Sequence, residues 1–461
     1  MASFDTVIAN GLVASSEQVE AVDIGIKDGK VAARAAGLAE GADAGRVIDA
    51  AGKLVLPGAL DPHFHPQYGD NMEVGSVAAA YGGITTLVSF VYGANYAPGG
   101  GGYEGRDLVE AFDDFSAGDG ATATLDWAAH MGVLDPRTIE QIPAIRAKGV
   151  NSFKFFMAYK RRGMMVDDQE FLHAMRLVGE HGGIAMVHAE NGYGIDYLEQ
   201  KFIAEGKTGL EYFEQSRPKN IEYEAVNRAI ELSRVSQCPL YLVHMTTGES
   251  VAMIAAARER GDHVVGETCP QYLLYTNEDL LAYGTLGICT PPYRTKWDND
   301  TLWAGLADGT ISTVGSDHSP HHRRNKMEPN IFKIPVGTPQ VETMLPLLFG
   351  KGVSEGRLTL QRLVAVMCEN PARVFGIYPR KGSLNVGADA DVAIIDPTKA
   401  TTFDEKKFHS VVDYNTYHGW TVLGTPVHTL QRGNDVLVDG ELKAAKGSGQ
   451  FVPGDAPQPT V

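Results

Sequence analysis

Leu54-Val55-Leu56-Pro57-Gly58-Ala59-Leu60-Asp61-Pro62-His63-Phe64-His65 is the stretch from which the fold can be read. An apolar, strand-forming run ends in two imidazoles. On a strand, side chains i and i+2 share a face, so His63 and His65 point together from one strand end, which is chelate geometry for a single metal ion. A His-x-His pair at a strand end is also common as surface or hydrogen-bonded residues, so the rest of the chain has to decide.

Outward from that run, residues 53–378 alternate apolar strand candidates with helical stretches. The strand candidates are 54–60, 85–90, 125–131, 152–156, 184–188, 240–244, 264–268 and 312–316, and helix-like segments at 107–115, 168–181, 221–236 and 248–260 lie between them. Eightfold alternation of strand and helix is the signature of an α/β protein of the (β/α)₈ TIM barrel type, whose chemistry sits at the C-terminal ends of the strands. On both sides of it are short β-type runs separated by turn signals, Thr6–Ala9 and Val22–Ile26 at one end, Asp391–Ile395 and His428–Gly440 at the other. The expected organisation is a small β-sandwich built from both chain ends (1–52 and 379–445), the barrel (53–378), and a Gly- and Pro-rich tail (446–461) that is either disordered or an arm on a neighbouring subunit.

Composition narrows the function. A chain of 461 residues, 44% apolar and 21% charged, can bury a large core. Its net charge of −17 and the absence of a basic run exclude nucleic acid and anionic membrane as partners. Cys238, Cys269, Cys289 and Cys368 have no paired spacing and read as buried thiols of a reducing compartment. The N-terminus lacks the charged and apolar regions of a signal peptide, and a cytoplasmic enzyme is expected.

Six polar residues fall at the same end of the same predicted barrel. His63 and His65 end the first strand, Lys154 lies in the fourth, His188 ends the fifth, His244 the sixth, and Asp317 follows the eighth. Taken singly, each has an ordinary structural reading: a satisfied rim histidine, a helix cap for Asp317, an internal ion pair for Lys154. Their coincidence at one end is what points to a site. Four imidazoles and one carboxylate suit borderline divalent ions, zinc above all with Mn²⁺ or Co²⁺ as alternatives, and serve two metals if something bridges them. A free ammonium cannot bridge cations. A buried, deprotonated Lys154 that takes up carbon dioxide becomes a carbamate with the two anionic oxygens required.

Several stretches carry a family resemblance. These are 61–65, Ser152-Phe153-Lys154-Phe155-Phe156-Met157-Ala158-Tyr159-Lys160, Val187-His188-Ala189-Glu190-Asn191, His244-Met245-Thr246, Glu267-Thr268-Cys269-Pro270-Gln271-Tyr272 and Gly315-Ser316-Asp317-His318-Ser319-Pro320. Together they resemble the cyclic amidohydrolases, in order and spacing the D-hydantoinase and dihydropyrimidinase branch. The resemblance implies one metal held by His63, His65, carboxylated Lys154 and Asp317, and a second by Lys154, His188 and His244, with a hydroxide bridging the two ions. Two cations bring the pKa of that water toward neutrality and polarise the amide carbonyl. The resemblance also assigns Tyr159 as the phenol that stabilises the oxyanion. Asp317 becomes the group that carries a proton to the leaving ring nitrogen. Substrate is positioned by main-chain groups of two loops, around Thr290 and Val336. The match departs at Val336, where the family usually has Asn, and in Ser319–Arg324, which reads as a solvated loop or as a binding segment at the rim of the mouth.

Specificity is expected from loops over the mouth: the glycine-rich stretch 92–103 with three tyrosines, as a surface loop or an aromatic lid, and Arg161–Met165 as a second wall. Gln67 stands where the similar dihydroorotases have an arginine for the ring carboxylate, so uncharged rings are expected as substrates. Other readings stay open: hydrolysis of another cyclic amide or imide, of allantoinase or imidase type, and a non-catalytic interaction protein of the same fold, like the collapsin response mediators. The family leads us to expect a homo-oligomer, dimer or tetramer.

Overall fold

The computed structural model describes residues 3–40, 43–95 and 104–461. Its centre is an eight-stranded parallel sheet in chain order: β1 (Ala59–Phe64), β2 (Ile84–Tyr92), β3 (Asp126–Gly132), β4 (Ser152–Phe156), β5 (Ile184–His188), β6 (Leu240–Leu242), β7 (Val264–Thr268) and β8 (Ile311–Val314). The strands are buried along their length, as expected when one face lines a barrel and the other is covered by helices. Inside the barrel, Val88, Phe90, Ile184, Met186, Tyr241 and Val265 pack on one another, and Val374 and Phe375 fill the interior with them.

The first and last strands close the barrel through a side chain. The Asp61 carboxylate accepts from the backbone N–H of His63 at 3.0 Å and of Ser316 at 2.9 Å, and also binds the Ser316 hydroxyl. Phe64 forms a parallel bridge to His318. Burial pushes the Asp61 carboxyl up to about 6, and the three hydrogen bonds work against that shift. His63 and Asp317, far apart in sequence, are thus fixed on the two sides of one seam.

The apolar run 54–60 proves to be two strands rather than one. Leu54–Pro57 belongs to a seven-stranded sheet, where it lies antiparallel to Val392–Thr402 (Val392 opposite Pro57, Ile395 opposite Leu54), and the chain enters the barrel only after Gly58. Pro57 and Gly58 mark the change of sheet, which periodicity within a continuous apolar run does not reveal. A four-stranded sheet made of Phe4–Ala9, Asp23–Lys27, Lys30–Ala35 and Ala44–Asp49 faces it. Ile8, Ile24, Val31, Val55, Val392 and Leu430 form the shared core, so both chain ends build this unit.

The tail follows neither expected course. Trp127 exchanges backbone bonds with Gln450 and Val452, Gly454 donates to Gly149, and Asp455 donates to Gly376, so the segment lies on the chain's own barrel with Val452 buried. Open backbone groups at strand and helix ends supply its partners, and a Gly/Pro composition does not show them. Residues 414–417 are likewise buried, with Tyr417 stacked on Tyr275 at 5.3 Å, while His418 and Gly419 are exposed. Among the described residues no helix is long and apolar enough to cross a membrane. All four cysteines are buried and free.

Candidate metal centre and active site

β1 and the turn after β8 bring three donors together. His63 Nε2 lies 3.2 Å from His65 Nε2 and 3.2 Å from Asp317 Oδ1, and His65 Nε2 lies 3.3 Å from the same oxygen. One ligand atom from each of the three falls within 4.8 Å of the others. On the opposite side, His188 at the end of β5 and His244 just past β6 approach with Nδ1 and Nε2 3.0 Å apart. The Nδ1 of His244 is buried without a hydrogen-bond partner. Lys154, in the middle of β4 and 1% exposed, enters the same pocket.

Three of the residues gathered here have left-handed backbone: Tyr159 (φ 61°), His244 (φ 43°) and Asp317 (φ 51°). For side chains of this size that conformation is uncommon, and the surrounding structure has to hold it. One means is close approach. A Cβ on Gly315 would meet Glu267 Oε2 and His63 Cβ at 2.7 Å each, so only glycine lets β8 pass this near the imidazole before the chain turns at Asp317.

Carboxylates behind the histidines set their tautomers. His63 Nδ1 donates to Glu267 Oε1 at 2.6 Å, which turns Nε2 toward His65 and Asp317. The same oxygen accepts the His244 backbone N–H at 2.9 Å, and Glu267 Oε2 takes the Tyr241 hydroxyl at 2.8 Å. His188 Nε2 donates to Glu190 at 2.7 Å, leaving Nδ1 for the pocket, and Arg217 neutralises Glu190 at 3.2 Å. Such outer contacts orient metal-binding imidazoles and raise their basicity. Glu267 and Glu190 lie in stretches that carry the family resemblance, but the sequence alone gives them no role. Their signal was a carboxylate at, or two residues beyond, the end of a strand that faces the histidines.

Electrostatics distinguish the two sides. Burial alone would lower His63, but Glu267 and Asp317 outweigh it and lift the imidazole to about 9. Burial lowers His65 to about 4 and holds His188 and His244 well below the ordinary histidine range. Asp317 stays well below the usual carboxylate range, because His63 and His65 overcome its burial. The carboxylates that favour a proton on His63 equally favour a metal cation there, and the neutral imidazoles opposite keep their lone pairs for coordination. Lys154 has the rings of Phe90 and Phe156 at 5.2 and 5.1 Å, and among the described residues no carboxylate lies within ion-pair distance. Burial lowers its amine to about 8.

The walls carry the remaining candidates. Tyr159 donates to or accepts from Thr290 Oγ1 at 2.6 Å, and its ring lies 4.9 Å from that of His188. Burial raises the phenol above its ordinary value, so it remains a donor. Thr290 and Val336 both line the pocket. Gly337 takes φ 130° against Ser319, where a Cβ would sit 2.3 Å from Oγ, and its N–H donates to Ile288 O at 3.0 Å, tying the two loops together.

Loops after several strands complete the wall. Of the two readings of 319–324, His321 fits the rim one: it lines the pocket, donates to Val336 O at 3.1 Å and lies 4.9 Å from the Tyr68 ring. The turn at Asp317 carries the chain back over the mouth, which a run of polar residues does not disclose. Of the glycine-rich stretch, Tyr92 lines the pocket with its hydroxyl 3.2 Å from His65 Nδ1, while residues 96–103 lie outside the described residues. Arg162 and Met164 form the second wall. Gln67 is exposed and donates to Phe90 O.

A (β/α)₈ barrel with this donor set at the C-terminal ends of its strands is of the class that holds a divalent metal ion where its loops meet substrate. The amidohydrolase family matches residues 54–434. The chain is 38% identical to a D-hydantoinase of Rhizobium radiobacter, covering 97% of this chain and 98% of that one. It is 36% identical to an L-hydantoinase of Paenarthrobacter aurescens over the same shares. The crystal structure of a dihydropyrimidinase from Brevibacillus agri superimposes with a TM-score of 0.92 at 34% identity, covering 98% of this chain and 99% of that one. The chain belongs to the amidohydrolase family, in its hydantoinase and dihydropyrimidinase branch, and is a cyclic amidohydrolase.

Proposed function

We propose that this enzyme opens the amide bond of a hydantoin or dihydropyrimidine ring to give an N-carbamoyl amino acid. The observation that carries the reading is the pairing of His63, His65 and Asp317 on one side of the pocket with His188 and His244 on the other, around a buried Lys154 that has no carboxylate within ion-pair distance among the described residues. Two divalent ions, zinc in the first place, would be held by these residues and would supply Lewis-acid polarisation of the amide carbonyl and activation of water. Lys154 would reach both as the carbamate formed with carbon dioxide.

The chain's own groups account for the rest. Tyr159, kept protonated by burial and held by Thr290, is poised to donate to the oxygen on which charge builds as water adds to the carbonyl carbon. Asp317, an ionised carboxylate in the pocket, accepts the proton released from that water. When the C–N bond breaks, the same proton goes to the departing ring nitrogen, leaving a ureido group and a carboxylic acid that gives its own proton to solvent. Thr290 and Val336 lie in the tied loops that border the substrate.

The associated domain reading is a barrel of 53–378 and a sandwich of 1–52 with 379–445, the short strand 54–57 pairing into the sandwich sheet, followed by the tail 446–461. A cytoplasmic homo-oligomer, dimer or tetramer, working on a small molecule accompanies this reading. The test is a comparison of kcat/KM for dihydrouracil, phenylhydantoin, allantoin, succinimide and dihydroorotate on metal-loaded enzyme, with product identified as the ring-opened acid. Opening of dihydrouracil or phenylhydantoin is expected. Inertness toward both, or a preference for dihydroorotate, refutes the assignment.

A further inference from the structure

The catalytic pocket, about 60 Å³, is not the larger chamber at this end of the barrel. A cavity of about 320 Å³ adjoins it and shares Tyr159, Arg162 and Val336 as a common wall. Its other walls are the helix Gly192–Ala204 and the segment 330–336. Ile195, Phe213, Ile331 and Ile334 give it an apolar lining, and all four are buried.

Its charge is opposite to that of the protein. The chain carries a net −17, yet five cationic side chains line this cavity, Lys160, Arg161, Arg162, Arg217 and Lys333, against two carboxylates. Both carboxylates are already engaged: Asp196 by Arg161 and by Lys160 at 3.6 Å, Glu199 by Arg217 at 2.9 Å. Among the described residues, Arg162 and Lys333 have no carboxylate within ion-pair distance. The guanidinium of Arg162 instead lies over the Tyr159 ring, 5.2 Å from its centroid, at the junction of the two chambers. A cation so placed, half-buried and unneutralised beside a low-dielectric wall, attracts an anion more strongly than a fully solvated one does.

From this geometry we infer that the enzyme selects cyclic amides whose ring bears a flexible aliphatic arm ending in a carboxylate. The ring occupies the catalytic pocket, the methylene stem crosses the apolar wall past Val336, and the carboxylate meets Arg162. A planar guanidinium pairs with a carboxylate through two parallel N–H bonds, which a lysine cannot reproduce. This inference rests on the function proposed above and specifies its substrate class. It is compatible with poor use of dihydroorotate, whose carboxylate is fixed to the ring and has no arm to reach the second chamber.

The test compares two hydantoins of equal size on metal-loaded, full-length enzyme, one with a 2-carboxyethyl and one with a 2-carbamoylethyl group at the 5-position. The acid is expected to exceed the amide in kcat/KM by about tenfold or more. In Arg162→Met that ratio should fall to within about threefold, and Arg162→Lys should retain part of it. Raising the salt to about 0.5 M should reduce the ratio in the unmodified enzyme, a measurement that needs no variant. An amide used as well as the acid, or a ratio untouched in Arg162→Met, overturns the inference. If unsubstituted hydantoin is opened while both substituted rings are inert, the inference falls and the proposed function stands; if no ring is opened, both fall.

Discussion

Two buried charged regions, one at each end of the barrel, are built from the same residue types to opposite effect. At the N-terminal end, Lys381 reaches Asp126 at 2.6 Å, Asp391 at 2.7 Å and Asp389 at 3.1 Å, and Arg432 joins Asp126 as well. Burial penalises this ammonium, yet the fields of Asp391, Asp126 and Asp389 more than restore it and hold it above an ordinary lysine. At the C-terminal end Lys154 is just as deeply buried, but its neighbours are aromatic rings; burial prevails and the amine falls to about 8. Burial alone therefore does not mark a lysine as functional. What separates framework from chemistry is whether the surrounding carboxylates have been spent on the charge.

The contrast fails most visibly if a change at the mouth behaves like a change at the floor. Asp317→Asn should cut kcat by about 10²–10⁴, the range of a lost general acid–base, while the fold persists. Near-normal turnover in a metal-loaded Asp317→Asn enzyme removes Asp317 from proton transfer. Lys154→Ala should lose most of the bound metal and with it the activity, partly restored by added short-chain carboxylates. Full metal occupancy in that variant, read by elemental analysis, would eliminate the carbamate bridge.

The floor should answer in stability. Lys381→Met leaves three carboxylates buried around an apolar side chain, and breaking a buried ion pair in this way costs about 3–5 kcal/mol. The expected result is a lower urea midpoint, with the kcat of the folded fraction unchanged. A variant that keeps its midpoint and loses activity would show that the region at the floor is coupled to the mouth.

These two ends were not equally legible in the sequence. The mouth could be read because barrel geometry sends the end of every strand to one place, so His63, His188, His244 and Asp317 meet once the eight strands are counted. The eight strands themselves were legible as apolar runs, and the ranges of β4, β5 and β7 are those the apolar pattern predicts. The floor could not be read. Asp126 starts a barrel strand, while Lys381, Asp389 and Asp391 lie beyond the last barrel helix, and no local spacing predicts their meeting. His130 makes the same point within the barrel. It is a strand histidine like the others, but it donates to Pro62 O at 2.9 Å, contacts the Ser152 hydroxyl at 2.6 Å and is held neutral by burial, a structural role that only its neighbours reveal.

A subtler difference is expected within the mouth. Tyr159→Phe removes one donor and leaves the proposed metal ligands in place, so the barrier should rise by about 2–4 kcal/mol, chiefly in kcat. Because the ring also packs on His188 and Arg162, the Phe variant preserves those contacts and isolates the hydroxyl. An unchanged kcat/KM would assign Tyr159 to packing.

The smallest effect comes from a third buried lysine, which lies between the two extremes. Lys326 is 0% exposed, and among the described residues its Nζ donates to one carbonyl, Ile288 O, at 2.7 Å. That carbonyl also receives the Gly337 N–H, so Lys326 props the junction of the two substrate loops from behind. Burial lowers its amine to about 7, from an ordinary value of 10.5. The sign of the consequence follows from proton counting. Between about pH 7 and 10 the unfolded chain holds a proton on this amine that the folded chain has given up, so its contribution to stability increases as pH rises through that window. The slope from one such group approaches ~1.4 kcal/mol per pH unit. Buried thiols such as Cys238, raised to about 12, act in the opposite direction over part of the same range, so the raw pH profile of one protein mixes the two. Subtracting the profile of Lys326→Met from that of the unmodified enzyme, both metal-loaded, removes the thiols and leaves the lysine. The difference should favour the variant at pH 7 and shrink steadily toward pH 9. A difference independent of pH would mean that Lys326 keeps its proton in the fold and belongs with Lys381 as framework charge.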